Sequence, residues 1–375
     1  YREMHSDTMT VKGEKQAMIN QARIDGLLEQ MEAQGLEQMI IRNPLLLDYL
    51  LGVRPRGGDR ATILYVSKNN GVKLITNYLV TLPELGVEKV LHGDQDNVAE
   101  EIAKQTLHDL PLGIDGEYPA KWLIPLRAAG AASDYVLGDR ALQLQRARKD
   151  EEEKQLLREA SAMNDRVMAR VRGVFHDGIT EKEAQQKISA MFVEEGADMP
   201  GWCIVAFGEN SANVHHHPGD RQLKEGDSIL IDMGSPRKGY HSDMTRTFFW
   251  KSVSDKQRAV YELVKNANLN AERNIRPGQT CREADAFARD LITEAGYGPN
   301  FTHRLGHYIG IELHDPGDVA WYSEDVLEKD YSFSCEPGIY LPGEFGVRIE
   351  DLLIATEDGV EILNHDNKEL EILGL

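Results

Sequence analysis

The sequence predicts a two-domain α/β protein whose larger, C-terminal domain is an α+β unit present twice. One observation is a repeat. Gly178-Ile179-Thr180-Glu181-Lys182-Glu183-Ala184 aligns with Gly278-Gln279-Thr280-Cys281-Arg282-Glu283-Ala284, one hundred residues on. A second is the alternation of strand-like and helix-like runs through the first 148 residues. The third is a strand, a Gly/Pro turn and a second strand across 229–247, with one aspartate at the end of the first strand and another at the start of the second.

Taken in order, residues 1–16 are polar and are expected to form an arm, 17–148 a first domain and 149–375 a second. Ile24, Leu27, Leu28 and Met31 recur at helical spacing, and Gly35 sits where that helix would stop. Met39-Ile40-Ile41 reads as a short strand. Residues 61–66 and 72–76 read as strands of a hairpin around Asn69-Asn70-Gly71. Residues 98–107 read as a helix and 112–115 as another strand. Asp115 and His92 stand alone and read as turn or edge residues. The run from Arg146 to Lys154 is dense in charge and reads as a solvated helix start, its acids favoured by the helix dipole. The helix that follows carries Leu156, Met163, Val167, Val171 and Val174 on one side.

The repeat has internal detail. Thr180 with Glu183 and Thr280 with Glu283 are both capping boxes, and both helices end near a glycine, Gly196 and Gly296. Leu223 precedes Asp232 by nine residues, and Leu327 precedes Glu336 by nine. Each half then supplies a second acid, Asp243 and Glu350. Two acids from each half of a pseudo-twofold domain would meet at its centre.

Composition excludes several partners. Forty-two basic against 62 acidic residues give a net charge of −20, which argues against nucleic acid and anionic membranes. No apolar run approaches the ~18 residues of a membrane span. Three scattered cysteines, Cys203, Cys281 and Cys335, make neither a disulfide framework nor a zinc finger and fit a reducing compartment, so a cytoplasmic location is expected. Cys335 points away from its neighbour Glu336 on a strand and reads as core.

The chemistry sits in four segments. Asp232 follows an apolar strand, where an unpaired carboxylate would be costly to bury. Asp243 is eleven residues on, and a hairpin would bring the two together. On this stretch alone two surface aspartates would read the same. Further along come His303-Arg304-Leu305-Gly306-His307, then Ser334-Cys335-Glu336-Pro337-Gly338, then Val347-Arg348-Ile349-Glu350-Asp351. Asp, Asp, His, Glu and Glu in this order suit two divalent ions sharing bridging oxygens.

This ordered set resembles the metallopeptidases of the pita-bread fold: methionine aminopeptidase, aminopeptidase P and prolidase, with creatinase as a metal-free cousin. The first domain resembles the N-terminal domain of creatinase, prolidase and aminopeptidase P, which methionine aminopeptidase lacks. The resemblance implies metal ligands at Asp232, Asp243, His307, Glu336 and Glu350, with Asp243 and Glu350 bridging and Glu336 also moving a proton. It implies substrate-facing histidines at His215 and His314, and Arg348 bracing the carboxylates. His215 stands in His215-His216-His217, but neighbours on an extended chain face opposite ways, so His216 and His217 receive no role. Two divalent ions are implied, manganese first, with cobalt or zinc compatible. So is a homodimer acting on peptides with a free N-terminus. The implied activity is removal of the residue before proline, as a dipeptidase or an aminopeptidase. Opening of a cyclic amidine, cleavage of a sulfonium compound and a non-catalytic binding module are the alternatives. Trp202, Tyr240 and Tyr340 are possible walls of a proline pocket. Asp315 stands where the family usually has Glu after the second histidine, which puts a neighbouring contact or the loop geometry in question.

Overall fold

The computed structural model describes residues 19–375, so the expected arm at 1–16 lies outside the described residues. The chain divides into two compact units between Gln145 and Arg146. None of the described helices is long and apolar enough to cross a membrane.

The first unit is one mixed sheet with helices. In chain order it runs α1 (Gln21–Ala33), β1 (Gln38–Ile41), α2 (Pro44–Leu51), β2 (Thr62–Ser67), β3 (Gly71–Asn77), β4 (Glu88–His92), α3 (Val98–Ala103), β5 (Leu112–Ile114), α4 (Ala120–Ala128) and β6 (Tyr135–Leu137), followed by α5 (Asp139–Ala147). The sheet order is β4-β3-β2-β1-β5-β6. The β2–β3 hairpin forms as expected, with Ser67 opposite Gly71. The helix expected over 98–107 stops at Ala103. The Thr106 hydroxyl and the His108 ring both reach back to the Ala103 carbonyl and close the last turn. Asp115 is a turn residue: it accepts from the amides of Arg42 and Asn43, where the chain leaves β1.

The second unit begins with α6 (Glu151–Val171) and α7 (Glu181–Glu194), then β7 (Trp202–Phe207), β8 (Ser228–Gly234), β9 (Pro236–Arg237), β10 (Tyr240–His241) and β11 (Met244–Trp250). It continues with α8 (Asp255–Asn274), α9 (Cys281–Glu294), β12 (Gly306–Tyr308), β13 (Asp315–Val319), β14 (Ser332–Cys335), β15 (Gly338–Leu341), β16 (Phe345–Arg348), β17 (Asp351–Ala355), β18 (Val360–Ile362) and β19 (Ile372–Leu373). The two halves repeat. A long helix, α6 or α8, precedes a shorter one, α7 or α9, and both shorter helices start with the expected capping box. An antiparallel triplet follows: β7-β8-β11 in the first half, β12-β14-β17 in the second. A small hairpin, β9–β10 or β15–β16, interrupts the return from the central strand. Thr180 bridges Gln222 as Thr280 bridges Val326. Leu223 donates to the Ile179 carbonyl as Leu327 does to Gln279, both at 2.9 Å. Each half packs its own apolar core.

Glycine makes the triplets close enough. A Cβ on Gly234 would lie 2.0 Å from the Ser242 carbonyl oxygen, and one on Gly306 would lie 1.8 Å from that of Ser334. No larger residue permits either approach.

The charged run at the start of α6 is a solvated face only in part, at Arg148, Glu151 and Glu152. Asp150 caps the helix in a capping box with Glu153, and Arg146, Lys149, Glu153 and Lys154 are buried. They face groups far away in sequence: Arg146 and Lys149 pair with Asp315, Lys154 with Asp330, and Glu153 accepts from the Tyr240 hydroxyl at 3.0 Å. Neighbouring charges in sequence gave no sign of these tertiary partners. Asp315 therefore works in a buried ion cluster, with the Lys149 ammonium 2.9 Å away. Burial raises its pKa, but Lys149 and Arg146 more than offset this and hold it below the usual 3.8.

A carboxylate with a depressed folded pKa contributes stability above its unfolded value and loses it as pH falls through the folded one. Asp315→Asn should thus cost about 3–5 kcal/mol at pH 7, since it leaves two buried cations short of an anion. The gap in melting temperature between parent and variant should narrow as pH drops below about 4. A gap independent of pH in thermal melts would refute the assignment.

Candidate metal centre

The first half places its two acids by strand pairing. Asp232 lies on β8 opposite Thr245 on β11, and Asp243 immediately precedes β11. The second half places Glu336 just after β14 and Glu350 just before β17. His307 lies on β12, whose neighbour Tyr308 pairs with Phe333 of β14. The helices hold the approaches. Asp285 on α9 accepts from the Leu305 amide and pairs with Arg289, which donates to the carbonyls of Phe301 and His303. Glu181 on α7 does the same for the first half, accepting from the Phe207 and Gly219 amides and the Asn210 side chain. His216 is thereby explained: its Nε2 lies 2.8 Å from Glu181, a contact the sequence did not reveal.

Asp243, His307 and Glu350 converge, each offering a ligand atom within 4.8 Å of the others. Glu336 and Asp232 flank this triad. Glu336 Oε1 lies 3.7 Å from His307 Nε2 and accepts from the Ser334 hydroxyl at 3.3 Å. Asp232 Oδ2 is drawn to Arg348 Nη2 at 2.6 Å. Arg348 is buried and fully engaged, with Nε on the Thr245 hydroxyl at 3.0 Å and Nη1 on the Tyr340 hydroxyl at 2.8 Å. Thr245 in turn donates to Glu350 Oε2 at 2.6 Å.

The donor set fits divalent ions. Asp232 Oδ1, Asp243 Oδ1 and Glu350 Oε1 are buried without a hydrogen-bond partner among the described residues, an expensive arrangement unless a cation faces them. Burial and mutual repulsion push Asp243 and Glu350 well above the usual carboxylate range and Glu336 up to about 7. Positive charge at this point would relieve all three. His307 Nδ1 can only donate to the carbonyl it faces, that of Tyr308 at 3.0 Å, which leaves the Nε2 lone pair toward the acids.

These groups line a cavity of about 630 Å³. His215 and His314 line it too, and the His314 ring lies tilted against that of His307, the ring centres 4.0 Å apart. Burial first, then His307 and Arg304, hold the His314 pKa down at about 4, so its ring is neutral at pH 7. Trp202, Ile204, Val214, Leu313, Trp321 and Tyr322 form apolar walls. Of the aromatic residues expected there, only Trp202 is a wall. Tyr240 packs with Leu157 and Ile309 and faces Glu153. Tyr340 stands buried behind the site, its hydroxyl between Arg348 and His303. The sequence reading missed Thr245, His303, Arg304 and Trp321. A signal for Thr245 existed, since it follows Asp243 by two on a strand and so shares its face. Trp321 and Arg304 gave none.

Comparison with known proteins agrees with this geometry. Residues 155–357 match the model of metallopeptidase family M24, and residues 23–148 that of the creatinase/prolidase N-terminal domain. The chain is 32% identical to the Xaa-Pro dipeptidase of Pyrococcus furiosus, over 93% of this chain and 99% of the relative. It is 34% identical to the probable dipeptidase PepE of Mycobacterium tuberculosis, over 90% and 92%. Among solved structures, dipeptidase PepE of Mycobacterium ulcerans superposes with a TM-score of 0.87 at 31% identity, over 95% of this chain and 98% of that one. The Xaa-Pro dipeptidase of Bacillus anthracis gives 0.84 at 31%, over 94% and 99%.

Two classes of variant separate ligands from donors. Asp243→Ala and Glu350→Ala should lose bound divalent ion and nearly all turnover. His215→Ala and His314→Ala should keep the ion while kcat falls on the order of 10²–10³. Elemental analysis beside steady-state kinetics distinguishes them, and a histidine variant that loses the ion would have to be reassigned as a ligand.

Proposed function

The chain belongs to metallopeptidase family M24, and from that premise we propose that it removes the amino-terminal residue preceding proline, with two divalent ions, manganese in first place. The carrying observation is a cluster of four carboxylates and one imidazole on the floor of an apolar-walled cavity. The relatives are an Xaa-Pro dipeptidase and dipeptidases by name, which favours a dipeptide as substrate. A homodimer belongs to the same proposal and rests on the family resemblance alone.

In this reading Asp232, Asp243, His307, Glu336 and Glu350 hold the ions. Such a pair supplies a water of depressed pKa and polarises the scissile carbonyl. The protein's own side chains do the rest. Arg348 orients Asp232, and Thr245 orients Glu350, which leaves the other oxygen of each free for an ion. Glu336 lines the cavity and is the group placed to take a proton and hand it to the leaving proline nitrogen. His215 and His314, on the cavity wall, donate N–H groups to the substrate carbonyls. A neutral His314 does so without bringing a second cation to the ions. Proline has no N–H and a rigid ring, which suits walls of Trp202, Leu313 and Trp321 that offer area and few acceptors.

The test is hydrolysis of Xaa-Pro dipeptides, Xaa-Pro-containing tripeptides and Met-Ala with manganese, cobalt or zinc restored to metal-stripped protein. Xaa-Pro should be cleaved and Met-Ala poorly, and acetylating the substrate amine should abolish turnover. Equal rates on Met-Ala and Xaa-Pro would sink the proline reading. No hydrolysis of any peptide by loaded protein would favour a small non-peptide substrate.

A further inference from the structure

We propose that the C-terminal tail is a positioning element of the metal centre, acting through Lys368, Asp351 and Arg246 on Glu350. The inference rests on the reading of Glu350 as a ligand.

The path is continuous. Lys368 Nζ lies 2.5 Å from Asp351 Oδ2, 2.6 Å from Glu272 Oε1 and 2.9 Å from Asn268 Oδ1. Asp351 Oδ1 accepts from Arg246 Nη2 at 2.7 Å. Arg246 Nη1 then donates to the backbone carbonyls of Glu350 at 2.7 Å and Thr245 at 2.9 Å. Those two residues are joined directly, by the Thr245 hydroxyl on Glu350 Oε2 and by the Glu350 amide on the Thr245 carbonyl at 3.1 Å. Arg246 thus sets the main chain of the residue whose side chain faces the centre. The tail grips Arg246 a second time, because Arg246 Nη2 also donates to the Asp366 carbonyl at 3.0 Å.

The tail is itself well tied. Ile372 and Leu373 pair with Phe249 and Trp250 of β11. Arg172 holds both Asp366 and Glu371, and the Tyr261 hydroxyl donates to the Lys368 carbonyl at 3.1 Å. Charge makes Lys368 the critical member. Glu272, Asp351 and Arg246 are all buried. Without Lys368 the buried Glu272 would lose its ion-pair partner, Glu272 and Asp351 would repel across the gap, and Asp351 would lose one of the two cations that fix its orientation. Glu350 would feel this as a loosened main chain. A group acting this way on a ligand typically changes metal affinity by 10–100-fold.

The experiment titrates Mn²⁺ into metal-stripped full-length protein by calorimetry, well below the melting temperature, and measures kcat and KM on an Xaa-Pro dipeptide. Lys368→Met should bind Mn²⁺ about tenfold more weakly, with kcat reduced and KM unchanged, and Lys368→Arg should recover most of both. Should Lys368→Met fold poorly, Lys368→Met/Glu272→Met replaces that ion pair with apolar groups while still depriving Asp351 of its lysine, and should show the same weaker binding. Parent-like affinity and kcat in either folded variant would overturn the proposal and leave Lys368 a residue of the fold only. A parent protein that binds no divalent ion would overturn both the proposal and the reading beneath it.

Discussion

Buried negative charge is the constraint around which the second unit is arranged. Asp232, Asp243, Glu336 and Glu350 meet beside one imidazole, and the guanidinium of Arg348 is spent on Asp232, the Thr245 hydroxyl and the Tyr340 hydroxyl. Carboxylates so placed repel one another and are poorly solvated, so the fold alone is destabilised by their convergence. A cation held there would offset that cost. The surrounding hydrogen bonds use one oxygen of each of Asp232 and Glu350 and leave the other buried without a hydrogen-bond partner among the described residues.

Duplication is what brings the acids together. A single triplet of strands can present two carboxylates at one end, and a second copy facing it presents two more. The copies share their supports as well: Asn164 on α6 donates to the Met233 carbonyl, and Asn268 on α8 to that of Cys335, each buried beside a ligand strand. The copies differ where chemistry needs asymmetry. The second contributes the imidazole of His307 to the acid cluster, and it contributes the aromatic wall of Trp321 and Tyr322 as well.

The legible part of this site was the part written in order along the chain. Asp232, Asp243, His307, Glu336 and Glu350 each sit in a local context, strand end or turn, that marks them. The capping boxes at Thr180 and Thr280 exposed the repeat directly, because a cap is a contact between residues three apart. Tyr240 shows the opposite case. Its position between two acids invited a place in the pocket, yet its ring turned to Leu157 and Glu153, residues more than eighty positions away. Arg146, Lys149 and Lys154 likewise resembled a solvated run until their partners on distant strands were seen.

By itself the sequence pointed to the two-domain α/β class and to the repeat in the second domain, since periodicity and caps are local properties; its net charge argued against nucleic acid as a partner, and the resemblance of its ordered acids and histidine implied the five ligand positions. Tertiary structure alone decided that Asp315 belongs to a buried ion cluster, that His216 supports Glu181, that Trp321 rather than Tyr240 walls the cavity, and that Lys368 reaches the backbone of Glu350 through Asp351 and Arg246. Each of those is a meeting of residues separated by tens to hundreds of positions. Such pairings depend on which faces the packed halves turn toward one another, and no short-range pattern in the chain encodes them.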